Sequence, residues 1–392
     1  MPQDVLFAIP FEAPVSPHLD QARIRHLDWV RERDLIRTEA GLREYISWDL
    51  PEAVGRTYPH ASADDQFMLM NWFALAFLFD DDCSRDASRN EDRESGEGDD
   101  GERGHAGHDR HERRDFDSEA PQRPDRVAEI ARELITIPFR EPGTAPDLVC
   151  PITLAWSEVW AAMSDGTSVT WQNRFAANWA RFLAAHASEL RMSRSVPVPD
   201  LESYRVMRRN TAGIPHSLDA IERSRRFEVP AQIQAHPLMR RLREAATDTI
   251  AYINDIQSPG RVGRRVAPHN LVVVLRDRLD CTPDVALREA TRMTYEQLDT
   301  FMTLQAYMPQ ICGELGLGAA ERTAVEMSVE GMRNWIRGYY DWGLHSGPYT
   351  APYTPPETTS EAGPDTGPEH GVHGYAEDPR GTPSAHIRSR SA

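Results

Sequence analysis

The sequence predicts an all-α protein, on three observations. Apolar residues recur at helical spacing through most of the chain, strand patterns are scarce throughout, and 40% of the 392 residues are apolar, enough for one substantial core. One large helical domain with tails fits this pattern better than two average domains. Residues 16–84 read as helices joined by short turns, with Ala-Arg-Ile-Arg-His-Leu-Asp-Trp-Val at 22–30 showing one apolar face. Met68, Met70, Trp72, Phe73 and Leu75 follow in a run that is apolar on most sides, which reads as the wall of a buried pocket. Residues 85–126 are dense in Asp, Glu, Arg, Gly and His and nearly devoid of large apolar side chains. They cannot offset their ordering entropy by burial and are expected to form a disordered insertion in a loop. His105, His108 and His111 belong to that solvated tract rather than to a metal site. Helical patterning resumes at 127–134 and continues through 152–163, 171–193, 201–209, 238–258, 270–279, 283–307 and 319–342. Beyond Pro348 the chain is rich in Pro, Gly, Ser, Thr and Glu, so 350–392 is expected to be a floppy tail after a domain spanning 1–349. The expected architecture is antiparallel helices around a central apolar cavity.

Composition narrows the function classes. A net charge of −17 argues against nucleic acid and anionic membrane as partners, since both demand basic surface. No apolar run approaches the roughly 18 to 20 residues that span a bilayer, and the start lacks a basic-then-apolar signal pattern, so the expectation is cytoplasmic, as a monomer or homodimer. Cys83, Cys150, Cys281 and Cys312 lack paired spacing and read as reduced thiols. The chain has no lysine, which excludes Schiff-base chemistry and a P-loop lysine. Any phosphate must be held by arginine, backbone N–H or metal.

Three features carry chemistry. Phe77-Leu-Phe-Asp-Asp-Asp82 ends an apolar, aromatic run in three acids, whose mutual repulsion a cation would relieve. Oxygen ligands without clustered His or Cys point to Mg²⁺ or Mn²⁺, which bridges carboxylates to phosphates. Asn254 and Ser258, four apart at the end of a long helical pattern, can turn two neutral oxygens toward one ion. Alone, that pair is more often a surface or capping pair. Arg208 and Arg209, before the small residues of Asn210-Thr-Ala-Gly213, are placed to donate to a diphosphate, or alternatively to neutralise a helix C-terminus.

Together these residues resemble the bacterial class I terpene synthase family. The opening residues 1–10 are similar to the family's N-terminus, and the similarity runs to about position 349. Asp80 and Asp81 match the start of its aspartate-rich motif, Asn254 and Ser258 the first two ligands of its Asn-Ser-Glu motif, and Arg208 its diphosphate-sensing arginine; residues 269–274 resemble the segment that follows. The resemblance implies the class I terpenoid synthase fold closing over a prenyl diphosphate, most readily farnesyl diphosphate, with three Mg²⁺ ions drawing off the diphosphate and the carbocation cyclising to a sesquiterpene. Thr211 and Ala212 would match the linker and effector positions, and Phe73, Phe77 and Trp342 the aromatic lining that such a cation needs; Trp72 and Phe79 are further candidates.

Three departures from the family pattern stand out. Val262 replaces the motif glutamate, and Pro259 and Gly260 before it predict that the helix kinks or stops after Ser258. Pro348-Tyr349 stands where the family has an Arg-Tyr pair, leaving Tyr349 alone to contact the diphosphate, and Ser84 replaces the third acid. Each such loss typically costs on the order of 2 to 4 kcal/mol of transition-state stabilisation. The alternative function is therefore a weakened or repurposed paralogue that binds isoprenoid diphosphate without efficient turnover.

Overall fold

Helix boundaries follow local chemistry. In the computed structural model, which describes residues 5–96, 124–189, 199–258 and 270–346 (the side chains of 81–96, 124, 125 and 189 excepted), the only regular elements among the described residues are helices. These are α1 (Leu19–Glu32), α2 (Glu39–Trp48), α3 (Leu50–Thr57), α4 (Ala63–Gly96), α5 (Pro124–Thr136), α6 (Pro151–Ser164) and α7 (Val169–Glu189). They continue as α8 (Leu201–Thr211), α9 (Ile214–Ser224), α10 (Ala231–Gln234), α11 (Pro237–Gln257), α12 (Leu271–Leu279), α13 (Pro283–Glu314) and α14 (Ala319–His345). Side-chain oxygens of Thr38, Asp200, Asn270 and Thr282 accept backbone N–H groups at the starts of α2, α8, α12 and α13, satisfying donors that a helix N-terminus leaves orphaned. All described residues fall within the unit Met1–Thr354.

α11 lies along α13 and against α14, α14 packs on α3, α1 on α4, and α7 on α5, α8 and α9. All nine tryptophans are buried. Trp156, Trp160, Trp171 and Trp179 with Phe175 form a stack between α6 and α7, the Trp156–Trp179 centroids 4.8 Å apart. Trp72 from α4 joins it at Phe175. Trp72 and Phe79 are thus packed in the interior, as most helical aromatics are.

Four elements depart from the expected pattern. α4 reaches Gly96, well into the stretch expected to lack structure, because Arg, Glu and Ala propagate an existing helix at little cost once its nucleus is formed. Residues 97–123 lie outside the described residues. α13 passes through Pro309 and ends at Glu314 instead of stopping near Tyr307. Met308, Ile311 and Cys312 are buried on its inner face and hold the last turns against the core, outweighing the backbone donor that Pro309 lacks. α9 was not among the expected helices, although Ile214, Leu218 and Ile221 recur at helical spacing; its polar face, Asp219, Glu222 and Arg223 included, is buried as well. The four-residue α10 is too short to show periodicity.

Candidate active site

The C-terminal end of α11 is set by its last residues. α11 ends at Gln257 as the Pro259 position led us to expect, with Ser258 as its C-cap at φ −118°, ψ 39°. The Ser258 N–H and Oγ both donate to the Asn254 carbonyl, at 2.9 and 2.6 Å. The Asn254 side chain spans two helices. Its Oδ1 accepts from Arg208 Nη2 of α8 at 2.7 Å, and its Nδ2 donates to the Tyr339 hydroxyl of α14 at 3.0 Å.

Arg208 is fixed by the next residue of the same motif. Arg208 Nε donates to Asp255 Oδ1 at 2.9 Å, while Asp255 Oδ2 accepts from the Tyr204 hydroxyl and from the Leu271 N–H at 2.7 Å. Asn270 Nδ2 donates to the Asp255 carbonyl at 2.8 Å, tying the start of α12 to the same point. Asp255 is thus a buried hub for α8, α11 and α12. Burial opposes the charge of Arg208, but Asp255 and the Tyr204 and Tyr339 hydroxyls outweigh it and hold the guanidinium above the ordinary arginine range. Burial, and then Asp255, push the Tyr204 phenol well above its usual range, so it stays a donor. Arg209, expected to share the phosphate role, instead makes a two-pronged pair with Asp248, both contacts 2.7 Å.

The break after α8 is built on glycine. The Ala212 N–H closes α8 on the Arg208 carbonyl at 2.9 Å, with Thr211 Oγ1 3.5 Å from the same oxygen. Gly213 then takes φ +70°, which L side chains rarely adopt, and starts α9. A Cβ there would sit 3.4 Å from the rings of His216 and Phe182, so the turn is closely packed as well.

Opposite lies the inner face of α4. Phe73 and Phe77 are 4.8 Å apart, Phe77 meets Trp342 at 5.9 Å, Trp342 meets Tyr339 at 5.2 Å, Tyr339 stacks on Trp335 at 6.0 Å, and Trp335 returns to Phe73 at 6.1 Å. These five rings close a circuit between α4 and α14. The Trp342 indole N–H donates to the Trp48 and Asp49 carbonyls at 3.0 Å, fixing one edge of it. One turn beyond Phe77, Asp80 Oδ1 lies 2.7 Å from His186 Nε2 of α7, whose Nδ1 lies 3.0 Å from the Phe182 carbonyl.

The structure therefore brings Arg208, Asn254, Ser258, Phe73, Phe77 and Trp342 into one continuous set of contacts through Tyr339, while Asp80, three residues after Phe77 on α4, has its carboxylate against His186 of α7. Asp81 follows on α4, but its side chain lies outside the described residues, as do Val262, Pro348 and Tyr349. Among the described residues no group of three or more His, Cys, Asp or Glu gathers for a metal. The donor set nonetheless suits a hard divalent cation: the Asp80 carboxylate is 41% exposed, and the Asn254 amide and Ser258 hydroxyl add neutral oxygens. Sequence reasoning missed Asp255, Tyr339 and His186. Asp255 carried a signal, since it adjoins Asn254; Tyr339 and His186 carried none, being distant in the chain from the residues they hold.

Comparison with known proteins gives one consistent result. Residues 109–300 match the family model described as terpene synthase family 2, C-terminal metal binding. The chain is 50% identical over 351 residues to the 7-epi-alpha-eudesmol synthase ((2E,6E)-farnesyl diphosphate cyclizing) of Streptomyces viridochromogenes, covering 89% of this chain and 93% of that one. It is 30% identical to the pentalenene synthase of Streptomyces avermitilis, covering 89% and 94%. Among solved structures, an a-eudesmol synthase superposes with a TM-score of 0.75 at 49% identity, covering 88% of this chain and 100% of that one. The germacradien-4-ol synthase of Streptomyces citricolor gives 0.69 at 28% identity, with the same coverage. No helix among the described residues is long and apolar enough to cross a membrane.

Proposed function

Because this chain belongs to the bacterial class I terpene synthase family, we propose that it ionises (2E,6E)-farnesyl diphosphate and cyclises the allylic cation to a sesquiterpene. The observation that carries this reading is the direct contact of Arg208 with Asn254 beside the circuit of five aromatic rings. It sets an anion-binding end against an apolar, π-rich interior.

The proposed steps balance simply. The allylic C–O bond breaks and diphosphate leaves with the electron pair; internal double bonds then attack the cation, and loss of a proton or capture by water ends the sequence. Asp80, Asp81, Asn254 and Ser258 would hold Mg²⁺, three ions in all, whose chemistry is to neutralise the departing diphosphate. Arg208 donates to the diphosphate oxygens, and Asp255 and Tyr204 keep its fork aimed. Thr211 and Ala212, at the break between α8 and α9, face the reacting end of the substrate, and Tyr349 contacts the diphosphate. Phe73, Phe77 and Trp342 offer π-faces to the cation and no nucleophile that would trap it.

The test is incubation of the purified chain with geranyl, farnesyl and geranylgeranyl diphosphates, with Mg²⁺ or with chelator, and mass detection of the organic extract. A Mg²⁺-dependent cyclic C15 hydrocarbon or alcohol from farnesyl diphosphate is the expected result. A product from another chain length alone would overturn the substrate assignment. Silence from all three would favour the weakened paralogue to which Val262 and Pro348 point.

A further inference from the structure

We propose that Tyr339 is a positioning residue for Asn254, its hydroxyl oxygen holding the amide so that the carbonyl oxygen faces Arg208 and the diphosphate end of the site. The inference rests on the proposed reading of Asn254 as a metal ligand.

The direction of the amide follows from donor chemistry. A guanidinium has only donors, so the Asn254 atom 2.7 Å from Arg208 Nη2 is the oxygen. The nitrogen then faces Tyr339, whose hydroxyl oxygen accepts at 3.0 Å. An amide oxygen has two lone pairs and can accept from an arginine while ligating a cation; an amide nitrogen can do neither. A flipped amide would therefore present N–H to Arg208 and to the metal alike.

The anchor on the Tyr339 side is firm. Tyr339 is 7% exposed, its ring stacked on Trp335 at an interplanar angle of 18° and set across Trp342 at 61°. Trp335 is fully buried, and Trp342 is itself held through its indole N–H to the carbonyls of Trp48 and Asp49. The hydroxyl is thus placed by packing within α14 and against the chain entering α3. That matters because Asn254 lies in the last turn of α11, which ends at Gln257. Tyr339 supplies the support from another helix. Outer partners of this kind orient metal ligands and commonly change metal affinity by about 10- to 100-fold when removed.

The experiment measures binding without turnover. The melting temperature of wild type, Tyr339→Phe and Asn254→Ala is followed against Mg²⁺ concentration at saturating inorganic pyrophosphate, and again with no ligand. Tyr339→Phe keeps the ring and removes only the oxygen. We expect its Mg²⁺ midpoint to rise about tenfold with an unchanged ligand-free melting temperature, and Asn254→Ala to raise the midpoint at least as far. An unchanged midpoint for Tyr339→Phe beside a raised one for Asn254→Ala would overturn the role of Tyr339 alone. Unchanged midpoints for both would overturn the reading of Asn254 and the inference with it. A ligand-free melting temperature that falls in Tyr339→Phe while the Mg²⁺ midpoint stays put would make the hydroxyl a packing group and also overturn the inference.

Discussion

Arginine at position 208 has a demand that no other cation meets, because its fork reaches Asp255 and Asn254 at once and, in the role we propose for it, still addresses a diphosphate. Arg208→Lys keeps the charge but cannot span both partners, and we expect kcat to fall about 10²-fold or more with the helical circular dichroism intact. Turnover at the wild-type rate would remove Arg208 from the diphosphate site. His26 shows a different kind of constraint. Buried between α1, α2 and α4, it lies 2.7 Å through Nδ1 from Asn71 Oδ1 and through Nε2 against the Tyr45 hydroxyl. The neutral ring satisfies both, donating from Nδ1 and accepting from Tyr45. Burial pushes its pKa down to about 4, against the opposing pull of the Asn71 hydrogen bond. A folded-state pKa below the unfolded one means that stability is fully present above about pH 6.5 and is lost as pH falls toward 4. The loss is about 3 kcal/mol. Denaturant titrations at pH 7 and pH 4.5 should show the gap between them narrow in His26→Gln, and an equal gap in both proteins would rule this out. Arg208 was legible in the sequence because a motif and a nearby break in the helix mark it. His26 and Tyr339 were not, since their roles depend on partners that only the fold brings near.

The close pairing of α14 with α3 sets tolerances on whole elements. A Cβ at Gly338 would lie 2.6 Å from the backbone oxygen of Arg56, which cannot swing aside as a flexible side chain could. Gly338→Ala should therefore force the two helices apart and cost about 1 to 3 kcal/mol. A denaturation midpoint equal to that of wild type would mean that the helices separate without strain. The same physics explains which elements could be read beforehand. α6, α11 and α14 lie near their expected bounds because each shows one apolar face and a clear cap or break. α9 has an apolar face too, in Ile214, Leu218 and Ile221, but its charged face is paired inside the protein: Arg174 bonds Asp219 at 2.9 Å and Glu222 at 2.7 Å, and Arg243 bonds Asp219 at 2.7 Å. Buried charge of this kind looks like surface in a sequence. α4 and α13 outran their expected ends for opposite reasons, one by propagation of helix-forming polar residues, the other by core contacts that override a proline.

For the molecule as a whole, the composition changes after Pro348, and residues 347–392 lie outside the described residues. We expect a chain ending at Thr354 to keep the melting temperature and product of the full chain. A fall of more than about 4 °C, worth about 1 kcal/mol or more at this size, would show that the removed residues stabilise the helices. The fold class was legible from periodicity, and the family from three short motifs, yet the cooperation among their side chains was not. Asp80, Arg208 and Asn254 come from three distant segments, and nothing in the linear chain says that a circuit of aromatic rings would join α4 to α14. The sequestration of every tryptophan gives this chain a distinctive optical character. With indoles stacked between α6 and α7 and others lining the circuit beside Asn254, near-ultraviolet circular dichroism will report side-chain order separately from helix content. A state that keeps its far-ultraviolet helical signal but loses the near-ultraviolet bands would be one whose indoles have come unpacked while the helices persist.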